Sequence, residues 1–148
     1  MFKVEITEHT ALKLNGIFVR TNMQNSQTDC PALWGEFMPM LKTMPAQSYG
    51  ISVTVDSQKG IFDYWAAAQV PEQPGFKEIN IPASTYAKCI VPNLRDLQTC
   101  YKYMYAVWPE ETRDWQLDFT APCFELYDNR YAETGEFDLY IPIKKREK

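Results

Sequence analysis

The chain has 148 residues, 45% of them apolar and 23% charged, which fits one globular domain with its own core and excludes a disordered chain. Fifteen Lys and Arg against nineteen Asp and Glu leave a formal net charge of −4 at pH 7, so direct nucleic-acid binding is not expected and the partner is expected to be neutral or cationic. No apolar run approaches the roughly 18 residues that span a bilayer, and the N-terminus lacks the basic-then-apolar order of a signal peptide, so a cytoplasmic protein without membrane contact is expected.

Alternation of Phe2, Val4 and Ile6 predicts a first strand, and Ala11 to Arg20 predicts its continuation or a second strand past a turn at His9-Thr10. From Asp29, with Pro31 as an early helix residue, Leu33, Trp34, Phe37, Met38, Leu41 and Met44 recur at spacings of three and four, which predicts an amphipathic helix ending near Pro45. Tyr49, Ile51, Val53 and Val55 then alternate with polar or small residues, as do Phe62, Tyr64, Ala66 and Ala68 after the Asp56 to Gly60 turn. That pattern is a hairpin. Beyond the Pro71 to Gly75 loop the same order returns: a strand region from Phe76 to Val91, a helix from Asn93 to Trp108, and a hairpin of Phe124 to Asn129 with Phe137 to Ile143.

Laid on the residues 75 positions later, Gly60-Ile61-Phe62-Asp63-Tyr64-Trp65 falls on Gly135-Glu136-Phe137-Asp138-Leu139-Tyr140. The expected fold is therefore α+β, a single domain over 1–148. It is a tandem, pseudo-two-fold repeat of strand-helix-strand-strand modules, 1–72 and 73–148, with antiparallel sheets around a central ligand groove. Cys30, Cys89, Cys100 and Cys123 form no C-x-x-C pair, and His9 is the single histidine. Neither a metal nor another cofactor is expected, and a histidine-dependent nucleophile is a poor fit; the thiols read as buried small hydrophobes.

Twenty-one aromatic residues together favour a small-molecule site at the seam between the modules, although any one of them by itself reads more simply as core packing or a satisfied rim. Glu125 is the sharpest feature, because Pro122-Cys123-Phe124-Glu125-Leu126-Tyr127 sets a carboxylate among apolar strand neighbours. If the second hairpin closes with residues 131 to 134 in its loop, Glu125 faces Tyr140, and Tyr127 shares that side. The same register in the first hairpin sets Gly50 opposite Trp65 and leaves room beside the glycine. A carboxylate between aromatic faces holds an organic cation by Coulomb attraction and cation–π contact. The alternative is a solvated strand glutamate, or one paired with Arg95, Arg113 or Arg130.

Gly16-Ile17-x-x-Arg20-Thr21, Leu33-Trp34-x-x-Phe37, Tyr49-Gly50-Ile51, Phe62-x-Tyr64, Ile81-Pro82-Ala83-Ser84-x-Tyr86-Ala87, Pro122-Cys123-Phe124-Glu125-x-Tyr127 and Tyr140-Ile141-Pro142-Ile143 occur in this order along nearly the whole chain. Together they resemble the GyrI-like or AraC-type effector-binding domain family, in its stand-alone, integron-cassette or effector-binding-protein form. The resemblance implies tandem SHS2-like modules around a groove, with Glu125 as the acidic anchor for cationic drug-like ligands. It also implies aromatic walls at Tyr140 and at Trp34, Tyr64, Tyr105 and Trp108. Strict alternation conflicts with part of this, since it puts Tyr64 and Tyr49 on the face opposite Glu125. Fused relatives bind DNA through a separate helix-turn-helix unit, and neither end of this chain is expected to supply one.

Three functions follow as expectations. The first is a binding protein for amphipathic organic cations. The second is a hydrolase of reactive cyclopropane-type compounds using Glu125 with Tyr64 or Tyr140, though no catalytic residue is assigned. The third is a protein-interaction module of the gyrase-inhibitor kind. A transcription regulator or other protein partner, and a monomeric or homodimeric state, stay open. The basic tail Lys144-Lys145-Arg146-Glu147-Lys148 reads as a solvated terminus.

Overall fold

A computed structural model describes residues 2–147. In chain order the elements are β1 (Val4–His9), β2 (Leu12–Asn22), α1 (Ser26–Met40), β3 (Ser48–Asp56), β4 (Ile61–Ala68), β5 (Lys77–Ile81), β6 (Ser84–Val91), α2 (Leu97–Lys102), α3 (Trp108–Glu111), β7 (Trp115–Leu117), β8 (Cys123–Tyr127), α4 (Asn129–Thr134) and β9 (Phe137–Lys145). The first expected helix starts three residues before Asp29 and stops at Met40, where Pro39 has removed a donor from the last turn and Leu41 N closes on Met38 O at 3.2 Å. The second is composite. A 3-10 turn at Leu94–Asp96 leads into α2, and a π turn at Tyr103–Val107 joins α2 to α3. That widened turn comes just before Pro109, whose ring lacks an N–H and crowds the carbonyl four residues back.

The architecture is α+β and antiparallel, but the strands form one continuous sheet rather than two. Its order is β1-β6-β9-β8-β3-β4-β2-β5, with β7 on β9. The β3–β8 pair joins the halves at the centre. At the edges the halves trade strands, since β1 pairs with β6 and β5 pairs with β2. The spatial units therefore do not coincide with the sequence halves 1–72 and 73–148, and each half leaves a sheet edge open without the other.

Helices cover one face only. Under α1 lie Ile17, Val19, Tyr64, Ala66 and Ala68 with Leu33 and Phe37, and under the composite helix lie Ala87, Cys89, Phe137, Leu139 and Ile141 with Cys100, Met104 and Trp108. On the other face the sheet curls until strands far apart in order share one cluster, with Leu12, Leu14 and Ile81 from one end meeting Tyr86, Phe124 and Tyr140. No helix among the described residues is long and apolar enough to cross a membrane.

Both hairpins differ from the expected register by one residue, and a one-residue slip moves every side chain to the opposite face. In the first, Asp56 pairs with Ile61 and a bulge skips Val55, so Gly50 lies opposite Ala66 rather than Trp65. In the second the strand stops at Tyr127. Asp128 caps α4 by accepting from Arg130 N at 3.1 Å, and Gly135 ends that helix at φ 86°. This connector, in place of a plain four-residue loop, sets Glu125 opposite Leu139 and Phe124 opposite Tyr140.

Gly16 has the closest surroundings of the glycines: a Cβ there would overlap Ala66 O and would lie 2.7 Å from Ala67 Cα, both fixed by β2–β4 pairing. Gly16→Ala should lower the free energy of unfolding by about 2 kcal/mol or more, read as a lower urea midpoint with unchanged slope.

Candidate functional site

At the centre of the helix-covered face, β8 and β3 set Glu125 directly across from Gly50. The carboxylate is 3% exposed and is held by three phenols. Tyr64 Oη donates to Oε1 at 3.0 Å, Tyr127 Oη donates to Oε1 at 2.6 Å, and Tyr101 Oη donates to Oε2 at 2.9 Å. Trp34 Nε1 donates to Tyr64 Oη at 3.0 Å, and its ring meets Tyr127 edge to face at 5.6 Å. The donors come from α1, β4, α2 and β8. The site is thus a junction between elements of both halves. Gly50 makes it possible, because a Cβ at that position would run into the Tyr64 hydroxyl and lie 2.8 Å from Glu125 Oε1.

Among the described residues no ion pair includes Glu125, and Arg130 is spent on Asp128 at 2.9 Å and Asp138 at 2.7 Å. Burial accordingly pushes the Glu125 carboxyl above its usual range, opposed by the hydrogen bonds from Tyr127, Tyr101 and Tyr64. The phenols shift in the same direction. Burial and then the Glu125 charge raise Tyr64, Tyr101 and Tyr127 well above the ordinary tyrosine value. They therefore remain protonated donors. Two thiols lie nearby, Cys30 pushed up to about 12 by burial and by Glu125, and Cys123 raised by burial. Neither is the thiolate that nucleophilic chemistry requires. Among the described residues no group of three or more His, Cys, Asp or Glu is placed to hold a metal ion.

The structure brings together Glu125, Tyr127, Tyr64 and Trp34 from the expected set. Tyr64 corrects the alternation argument: the Val55 bulge turns it to the same face as Glu125, while Tyr49 stays on the opposite face, 2% exposed in the core there. Tyr140 is the converse correction. It lies on the face away from Glu125, stacked on Phe124 at 4.6 Å and beside Tyr86 and His9. Trp108 packs in the core under the composite helix, and Tyr105 stacks on Tyr101 without reaching the carboxylate. Tyr101 was missed. Its signal was present in the spacing of Tyr101 from Tyr105 on one helical face, but nothing local says that its hydroxyl turns inward to an acid 24 residues away. A recess of about 470 Å³ lined by Lys13, Asn15, Gln69, Val70, Pro71 and Glu72 contains none of these residues. The charged chemistry is at Glu125.

Comparison with known proteins decides the family. The model of the integron-associated effector binding proteins matches residues 5–143. The chain belongs to that family. This is the integron-cassette branch of the GyrI-like effector-binding proteins that the sequence motifs resemble. No curated protein matches the chain in sequence. Among solved structures, an integron cassette protein from the mobile metagenome of Vibrio cholerae superposes with a TM-score of 0.71 at 17% identity, covering 97% of both chains. SAV2435, solved bound to tetraphenylphosphonium, gives 0.74 at 16% identity over 96% of this chain and 94% of its own. The C-terminal domain of EcmrR gives 0.68 at 13% identity over 99% of both. At these identities the likeness is one of fold.

A raised carboxyl value makes the native state bind its proton more tightly than the unfolded chain does. Stability is therefore lost as pH climbs from the unfolded value near about 4.3 through the native one. Glu125→Gln should melt roughly 2 to 4 °C above wild type at pH 7, with the gap closing as pH falls toward 4 in thermal scans. A lower melting point for the variant throughout would mean that the carboxylate stabilises the fold.

Proposed function

We propose that this effector-binding protein receives lipophilic organic cations, with Glu125 as the anion that holds them. The observation that carries the reading is a buried carboxylate that meets only neutral hydrogen-bond donors. A carboxylate without a counter-charge is costly in a core unless something offsets it. A delocalised organic cation offsets it at little desolvation cost of its own, and the side chains around the carboxylate, Trp34, Tyr64, Tyr101 and Tyr127, are of the aromatic class that makes cation–π contacts. Family membership and the tetraphenylphosphonium complex of SAV2435 point the same way.

The tyrosines position the anion. Three phenols fix both carboxylate oxygens, so the charge sits in one place before the ligand arrives and little ordering is left to do on binding. Trp34 donates to Tyr64, which donates to Glu125, and a chain of donors strengthens each member. The hydrolase alternative has one supporting observation, the raised Glu125 carboxyl, and of its two tyrosine partners only Tyr64 touches the acid. It lacks a second acid or base at the site.

Isothermal titration of wild type and Glu125→Gln with tetraphenylphosphonium and with uncharged triphenylphosphine oxide tests the reading. The substitution should weaken the cation by about tenfold or more, since hydrogen bonds and pairs involving charge are worth roughly 1.5 to 3 kcal/mol, and should change the neutral compound by less than twofold. Wild-type affinity for the cation should also fall as pH is lowered through the raised Glu125 value, because protonation removes the charge, whereas the variant's affinity stays flat. Equal losses for both compounds, or none for either, would remove Glu125 as anchor.

A further inference from the structure

Cys89 and Cys100 meet in the core under the composite helix. Cys89 lies in β6, paired with Val4 of β1 on one side and with Leu139 of β9 on the other. Cys100 lies in α2, which packs on β6. Both side chains are fully buried, and their sulfurs are in contact, 2.7 Å apart. Strand and helix thus bring two free thiols within bonding reach of each other. Cys30 in α1 and Cys123 in β8 are the other two thiols, each half-buried. The closed pair is also next to the site. Cys100 immediately precedes Tyr101, whose hydroxyl donates to Glu125 Oε2 at 2.9 Å.

Access limits the chemistry of this pair. The contact with Cys89 and then burial raise the Cys100 thiol, and a neutral thiol shut off from solvent does not attack an oxidant. The two sulfurs differ in what holds them. Cys89 has strand partners on both sides, whereas α2 is six residues long and lies between a 3-10 turn and a π turn. Local opening therefore lifts Cys100 while Cys89 stays in the sheet. We propose that Cys89 and Cys100 are a modification site for small peroxides, a dithiol that closes to a disulfide between β6 and α2. In the opened segment the Cys100 thiolate attacks one oxygen of hydrogen peroxide and the O–O bond breaks. The sulfur becomes a sulfenic acid, and the other oxygen leaves as hydroxide and takes up the proton that Cys100 released, giving water. When α2 closes, the Cys89 sulfur attacks the Cys100 sulfur, and its proton passes to the departing hydroxide as a second water. Two thiols and one peroxide thus give one disulfide and two waters. The bridge ties to β6 the helix that carries Tyr101, and so fixes the donor at Glu125 Oε2 whatever that carboxylate binds.

The test treats reduced wild type, Cys89→Ala and Cys100→Ala with hydrogen peroxide, alkylates the remaining thiols and maps the digests by mass spectrometry. Wild type should yield two peptides joined through Cys89 and Cys100, lighter by two hydrogens than the separate peptides and released by dithiothreitol. Amides of α2 should exchange at least about tenfold more slowly in the bridged protein than in the reduced one, because opening of the helix is what the bridge restrains. The melting midpoint should rise by roughly 5 °C or more on bridging, and neither alanine variant should show that rise. The linked peptide is read in wild type, so the result stands even where an alanine variant folds poorly. Oxidation confined to Cys30 and Cys123 would overturn the site, and so would sulfinic acid at Cys100 without a link to Cys89. A link that leaves α2 exchange unchanged would overturn the hold on the Tyr101 helix.

Discussion

One carboxylate kept from water without a counter-charge organises the centre of this protein. Everything adjacent is arranged to keep Glu125 there: Gly50 clears the space across the β3–β8 pair, three phenols donate to its two oxygens, and Trp34 steadies the most buried of them. The hydrogen bonds lower the cost of desolvation without cancelling it. An apolar side chain at this position would pack with less conflict. This local conflict stands in a sheet whose other central positions are filled by Ile51, Phe124, Leu126 and Leu139, and it is the feature on which the proposed cation site rests.

The fold explains why that conflict is tolerated. Two helices cover two separate clusters on the same face, one over β2 and β4 and one over β6 and β9, and the carboxylate lies between them, on the strand pair where the halves meet. Traded edge strands and the curled opposite face tie the halves into one core. The apolar clusters flank the site on both sides, with Tyr64 and Trp34 belonging to one and Tyr101 and Tyr127 packed on the other, and their burial offsets the cost of one unfavourable group at the seam. Only the assembled protein has the site, because no single element supplies more than one of the four donors.

Family and structural likeness extend over almost the whole chain while identity to the solved neighbours stays at 13 to 17%. Such a relation describes a scaffold. Ligand preference lies in particular side chains rather than in the scaffold.

The sequence by itself determined the main strands and helices in their order, though not β7 or α4, and the anomaly at Glu125, because hydrophobic period and turn chemistry are local properties of the chain. It also marked Gly50 as the glycine that stands 75 positions before that acid, whereas their facing each other across β3 and β8 came only from the tertiary structure. The faces were decided only in three dimensions. A bulge at Val55 and the α4 connector each shift a register by one residue, and with period-two strands that single step brought Tyr64 to the carboxylate and sent Tyr140 to the opposite core. The acid that the Tyr101 hydroxyl meets and the trade of β1 and β5 were likewise invisible in the chain, since a side-chain hydrogen bond across 24 residues and a strand pairing across the repeat depend on how the whole sheet closes. Spacing reports which residues share a strand or a helix face; only packing decides what that face meets.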